Sequence, residues 1–139
     1  MGRILAIDYG TKNIGLAYSD ELGLTTQPLP SLPNTGKKNL LKKLRDLAGS
    51  LQIQAFVLGM PVNMDNSRGE SVAKMEQIMA FLKKGLNMPL IAVDERLSTV
   101  EALEIWNDMT PRQQKRYRTV DSLAAALILE RRLTEHSLE

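Results

Sequence analysis

The chain has 139 residues, a net charge of +2 and no cysteine, so disulfides and cysteine-built zinc sites are excluded. Its one histidine, His136, leaves little material for a Ser-His-Asp triad or a histidine metal centre, and any metal must rest on carboxylates, which favours Mg²⁺ or Mn²⁺. With 43% hydrophobic and 24% charged residues, and no signal-peptide pattern or apolar run of membrane length, a cytoplasmic globular domain over residues 1–139 is expected.

Residues 3–8 read as a buried strand, because Ile4, Leu5, Ala6 and Ile7 form a continuous apolar run. Gly10 supplies a turn, and residues 14–19 read as a second strand in a hairpin with the first. Residues 25–30 fit an edge strand, since prolines flank and interrupt them; Pro33 to Gly36 mark a loop. A helix is expected over 38–51, where Leu40, Leu41, Leu44, Leu47, Ala48 and Leu51 make one apolar stripe. Residues 55–58 read as a buried strand ended by Gly59 and Pro61. A second helix follows over 67–84, and then a strand over 90–94. Ser98-Thr99-Val100-Glu101 has the form of a capping box opening a third helix. Thr110-Pro111 is a helix-start signal for a short basic segment, and a last helix is expected over 119–133. Strands first, then strand and helix alternating, imply an α/β fold: a mixed five-stranded sheet, three strands antiparallel then two parallel, with helices packed on it.

Acids fall where the predicted elements end. Asp8 closes the first strand, Asp94 and Glu95 close the fifth, and Asp121 opens the last helix. Phosphodiester hydrolysis needs an activated water and a stabilised leaving oxygen; divalent cations held by converging carboxylates supply both. Each acid has a plainer reading: Asp8 as a turn residue, Asp94 and Glu95 as a solvated strand end, Asp121 as a helix-start acid favoured by the dipole. Asp8 and Asp94, however, each follow an apolar run, where a carboxylate costs free energy unless compensated. Behind Asp121, Ala124, Ala125 and Ala126 allow the last helix to approach the sheet closely.

Four blocks carry a resemblance. Asp8-Tyr9-Gly10-Thr11-Lys12-Asn13-Ile14-Gly15, Gly59-Met60-Pro61-Val62-Asn63-Met64-Asp65, Asp94-Glu95-Arg96-Leu97-Ser98-Thr99 and Val120-Asp121-Ser122-Leu123-Ala124-Ala125 resemble, in order, the motifs of the YqgF (RuvX) family, relatives of the Holliday-junction resolvases. The resemblance implies a ribonuclease H-like fold and a nuclease linked to processing of the 5′ end of pre-16S ribosomal RNA, with a role on branched DNA proposed for relatives. It implies Asp8, Glu95 or its neighbour Asp94, and Asp121 as catalytic, metal-binding carboxylates for Mg²⁺ or Mn²⁺. The better-understood resolvases end their fourth strand in an acid. Here Gly59-Met60-Pro61 stands there, so the missing ligand falls to Asp94, Glu95 or Asp65. Strand alternation lets only one of Asp94 and Glu95 face Asp8, and Glu95 is the favoured one.

For nucleic-acid binding the expected contacts are Lys12, Asn63, Arg96, Arg116 and Arg118, with Arg112, Lys115 and Tyr117 beside them. Lys37, Lys38, Lys42, Lys43 and Arg45 read instead as the polar face of an amphipathic helix. Two other readings stand beside the nuclease. Asp8-x-Gly10-Thr11 also resembles the phosphate loop of actin-like and sugar-kinase ATPases, whose two-domain clamp needs a longer chain. A catalytically silent nucleic-acid-binding factor would share every feature except turnover. The partner expected is structured RNA or branched DNA, with no membrane, and the chain as monomer or homodimer.

Overall fold

The first three strands form an antiparallel meander in the computed structural model, which describes residues 2–60, 70–94 and 98–135. They are β1 (Arg3–Tyr9), β2 (Asn13–Ser19) and β3 (Thr26–Pro33). Helix α1 (Lys37–Leu51) leads to β4 (Ile53–Met60), which pairs parallel with β1. Helix α2 (Glu70–Leu86) leads to β5 (Leu90–Asp94), which pairs parallel with β4. Helices α3 (Ser98–Asp108), α4 (Pro111–Tyr117) and α5 (Val120–Glu135) follow. The strand order is β3-β2-β1-β4-β5, the mixed five-stranded sheet that the sequence predicts.

Alternation along the strands divides the core between the two faces. On one face Leu5, Ile7, Ile14, Leu16, Phe56 and Leu58 pack against α1 and α2. On the other, Ala6 and Val57 pack against Ile128 and Leu129 of α5, and Ala17 packs against Ala125 and Ala126. Helix α3 covers the outside of α5, with Ala102 against Leu123 and Ala124. Because both faces are covered, the central strands read as uninterrupted apolar runs.

Several boundaries differ from the sequence expectation for local reasons. Strand β3 runs on to Pro33, with Leu32 opposite Ile14 and Pro33 opposite Asn13; an edge strand needs donors on one side only and so tolerates prolines. Strand β4 begins at Ile53, which is buried and pairs with Arg3. Helix α2 ends at Leu86, whose buried side chain completes the apolar face; its expected start at residue 67 lies outside the described residues. Thr110 caps α4 in a full capping box with Gln113.

The start of α5 is anchored to β3. Thr119 caps the helix, its Oγ1 accepting the Ser122 N–H at 3.0 Å. The Thr119 hydroxyl donates to Ser122 Oγ, and Ser122, wholly buried, donates to the Leu29 carbonyl of β3. With both those hydroxyl protons committed, Ser31 donates to Thr119, closing a relay from edge strand to helix and back. Ser122→Ala strands the Leu29 carbonyl and is expected to lower stability by about 1–2 kcal/mol, measured as a reduced urea midpoint with unchanged m-value.

Candidate active site

Asp8 is the penultimate residue of β1 and only 8% exposed. It shares the parity of Ala6, so its side chain belongs to the face that α5 covers. Directly across the ladder is Gly15 of β2. Helix α5 uses the space a side chain would fill there. A Cβ on Gly15 would collide with the main-chain carbonyl of Asp121 and stand 3.1 Å from the Asp121 Cβ. Directly opposed antiparallel residues have Cα atoms about 4.5–5.5 Å apart. The Asp121 backbone therefore rests one strand away from Asp8, on the same face of the sheet.

Asp121 lies in the first turn of α5, the place the helix-dipole reading gives it. The dipole of an exposed helix start would lower a carboxyl pKa. Burial instead pushes that of Asp121 above the ordinary carboxylate range, because desolvation penalises the charged form. A carboxyl held at a desolvation cost is more frequent at functional sites than at exposed helix starts.

Of the other expected ligands, Asp94 belongs to β5. Asp94 is its last residue and pairs with Met60. β5 is two strands from β1, about 10 Å at the usual strand spacing. Between them Gly59, buried and paired with Val93, puts no side chain in the gap. Among the described residues no group of three or more His, Cys, Asp or Glu assembles. Glu95, Asn63, Asp65 and Arg96 lie outside the described residues. Two oxygen-only carboxylates, from β1 and α5, fit a hard divalent cation and not a soft one.

Basic residues flank the carboxylates. Arg112, Lys115 and Arg116 are exposed on α4, which packs against β3 and α5. The Arg116 guanidinium stacks 5.1 Å from the Tyr117 ring centroid. Arg118, three residues before Asp121, caps α4 in a positive-φ conformation (φ 72°). Lys12 is exposed in the turn that leaves β1. That turn is fixed by Asn34, which the sequence reading did not single out. Its side-chain amide donates to the Gly10 carbonyl and its backbone N–H to the Lys12 carbonyl, both at 2.8 Å. Gly15 was likewise visible only as part of a motif. The signal for it was the small stripe Gly15, Ala17, Ser19 on one face of β2, matched by the alanines of α5. Among the described residues no helix is long and apolar enough to cross a membrane.

The RuvX family model, described as Holliday junction resolvase, matches residues 2–135. The chain belongs to the RuvX family. The four motif blocks are thus parts of a likeness over nearly its whole length. A protein of Koribacter versatilis named "Putative pre-16S rRNA nuclease" is 36% identical over 138 residues, covering 99% of this chain and 90% of its own. One of the same name from Syntrophus aciditrophicus is 37% identical over 137 residues, covering 99% and 91%. Thermus thermophilus RuvC, solved with a Holliday junction substrate, superposes with a TM-score of 0.60 at 11% identity, covering 99% and 96% of the two chains. The fowlpox virus Holliday junction resolvase does so with a TM-score of 0.54 at 17% identity, covering 99% of each. These structures establish the ribonuclease H-like resolvase fold for this RuvX chain.

Two substitutions test the geometry. Gly15→Ala drives a methyl group into the α5 main chain and is expected to cost about 2–3 kcal/mol in urea unfolding. Asp121→Asn has the opposite sign. A carboxyl with its pKa raised on folding binds more protons in the native than in the unfolded state, so stability falls as pH rises through and above the ordinary carboxylate range. Asparagine removes that loss. In the absence of divalent ions, Asp121→Asn is expected to raise Tm at pH 7 by about 2 °C, and the gain disappears as the pH is lowered through the carboxylate range.

Proposed function

We propose that this chain is a Mg²⁺- or Mn²⁺-dependent nuclease, a single ribonuclease H-like domain that acts in the cytoplasm on the 5′ end of pre-16S ribosomal RNA. The observation that carries this reading is the approach of Asp8 and Asp121 to Gly15, one as its partner across the ladder and the other with its backbone packed on it. The names of the RuvX relatives supply the substrate class.

Asp8 and Asp121 are the metal ligands, joined by Glu95. Parity favours Glu95 over Asp94: Val93 packs with Ala6 and Val57 on the face of Asp8, and positions two apart on a strand share a face. A divalent ion bound there supplies Lewis-acid stabilisation of phosphoryl oxygens and activation of water. The protein's own part is to orient the substrate and hold the ligands. The rigid β1 end and the Thr119–Ser122 anchor fix Asp8 and Asp121 before substrate arrives, which avoids reorganisation during reaction. Arg116, Arg118 and Lys12 hold the flanking phosphates, with Asn63 and Arg96 from the remaining motif blocks.

A second reading, cleavage of branched DNA, is supported by the family's description and by the junction-bound resolvase of the same fold. Purified protein incubated with a labelled pre-16S 5′-leader RNA and with a four-way DNA junction separates the two. Cleavage of the RNA is expected, dependent on Mg²⁺ or Mn²⁺ and reduced more than about a hundredfold in Asp8→Asn, since loss of even an outer-shell partner costs 10–100-fold. The same substitution is expected to abolish Mn²⁺ binding in calorimetry. Cleavage of the junction alone transfers the assignment to branched DNA. Full complementation of a depleted strain by Asp8→Asn would instead mark a silent binding factor.

A further inference from the structure

Around the edge of the sheet from the carboxylates, the turn after β1 meets the start of α1 and the side of α2 at a cleft of about 400 Å³. Lys37 of α1 and Lys74 of α2 stand on its walls, with Thr11, Gln77, Tyr9 and Asn34 supplying neutral polar groups. Among the described residues no carboxylate lines it, although the chain carries 16 acids against 18 lysines and arginines. Such segregation of cations around neutral donors suits a compact anion.

The cleft is built in advance. Asn34 bonds to both sides of the β1–β2 turn, and its Oδ1 accepts the Gly36 N–H at 3.1 Å, which fixes that turn to the start of α1. The Tyr9 hydroxyl donates to the same Oδ1 at 3.4 Å. Lys37 lies with its ammonium 5.0 Å from the Phe81 ring centroid, a contact that restrains the side chain without neutralising it. The first turn of α1 holds no acid that would compete for these donors. Thr11 follows Asp8 by three residues, so the cleft opens within about 11 Å of the Asp8 Cα.

We propose that this cleft is a phosphodiester subsite: it holds a backbone phosphate of the nucleic acid a short distance along the strand from the bond at Asp8 and Asp121. The inference rests on the nuclease reading for its ligand class and extends it by a direction. The strand passes from the basic face of α4, over the carboxylates, past Lys12, and down between α1 and α2. Lys37 and Lys42, which read in sequence as one solvated helix face, thereby acquire separate roles. Lys37 and Lys74 stand on the walls of the cleft, whereas Lys42 and Lys83 are exposed elsewhere on the same two helices.

The test uses the full chain carrying Asp8→Asn, so that binding is read without cleavage. Fluorescence anisotropy with a labelled single-stranded RNA, repeated over a salt series, compares two charge-matched doubles, Lys37→Ala/Lys74→Ala and Lys42→Ala/Lys83→Ala. The first is expected to weaken binding about tenfold and to lower the log–log salt slope by about 1, the second to change affinity less than about twofold. Equal losses in both doubles would overturn the subsite. Lys74→Gln alone, at an exposed position, is expected to lower affinity about threefold, and keeps the test valid if loss of the Phe81 contact unfolds the double. Competition by adenosine monophosphate at micromolar concentration would reassign the cleft to a free nucleotide and overturn the proposal. Absence of cleavage by the chain with Asp8 intact, with the lysine effects present, would sink the nuclease reading and leave the subsite standing.

Discussion

Helix α5 lies so close to β2 that its first turn occupies the place of a side chain on Gly15, and the site depends on that contact. A sheet and a helix usually stay apart by the length of interdigitating side chains. Here Gly15 and Ala17 on the strand, with Ala125 and Ala126 on the helix, remove most of that length. Apolar burial along Ile128 and Leu129 presses the rest of the helix onto Ala6 and Val57. The hydroxyl relay through Ser31, Thr119 and Ser122 fixes its end against the edge strand. Packing, rather than any attraction between the acids, brings Asp121 to the strand that pairs with Asp8. Left to electrostatics, the two carboxylates would separate.

That arrangement sets stability against function. Asp8 is almost wholly buried at the end of an apolar run, and Asp121 is held where desolvation disfavours its charge. The rest of the sheet offsets the cost. Two covered faces give the chain a large apolar core, and α4 with its basic residues packs beside β3 and α5. The lysine cleft on the opposite face continues the same charge logic around the sheet edge.

Much of this was legible in the sequence. The apolar run of β1, the helical stripe of α1 and the turn chemistry at Gly10 gave the strand and helix order, because these signals are local. The alanines of α5 already implied close packing, and the four motif blocks implied the fold. What was not legible depends on residues distant in sequence. Gly15 was one residue of a strand and a motif until the helix starting at Val120 was placed on it. Asn34, in a proline-rich loop, acquires meaning only once that loop folds back over Gly10 and Lys12. Strand β3 outran its expected end because pairing to β2, not propensity, decides where an edge strand stops. Strand alternation at the end of β5 let only one of two acids face Asp8, and Val93 packing with Ala6 and Val57 is the observation that bears on which.

The central claim is that Asp8 and Asp121 form one cation site across Gly15. Paramagnetic broadening by Mn²⁺ in ¹⁵N-labelled protein tests it most directly, since the effect falls steeply with distance from the ion. At substoichiometric Mn²⁺, selective loss of the Asp8, Gly15 and Asp121 amide signals is expected, and excess Mg²⁺ restores them. Broadening confined to other acids, with those three signals intact, would contradict the claim.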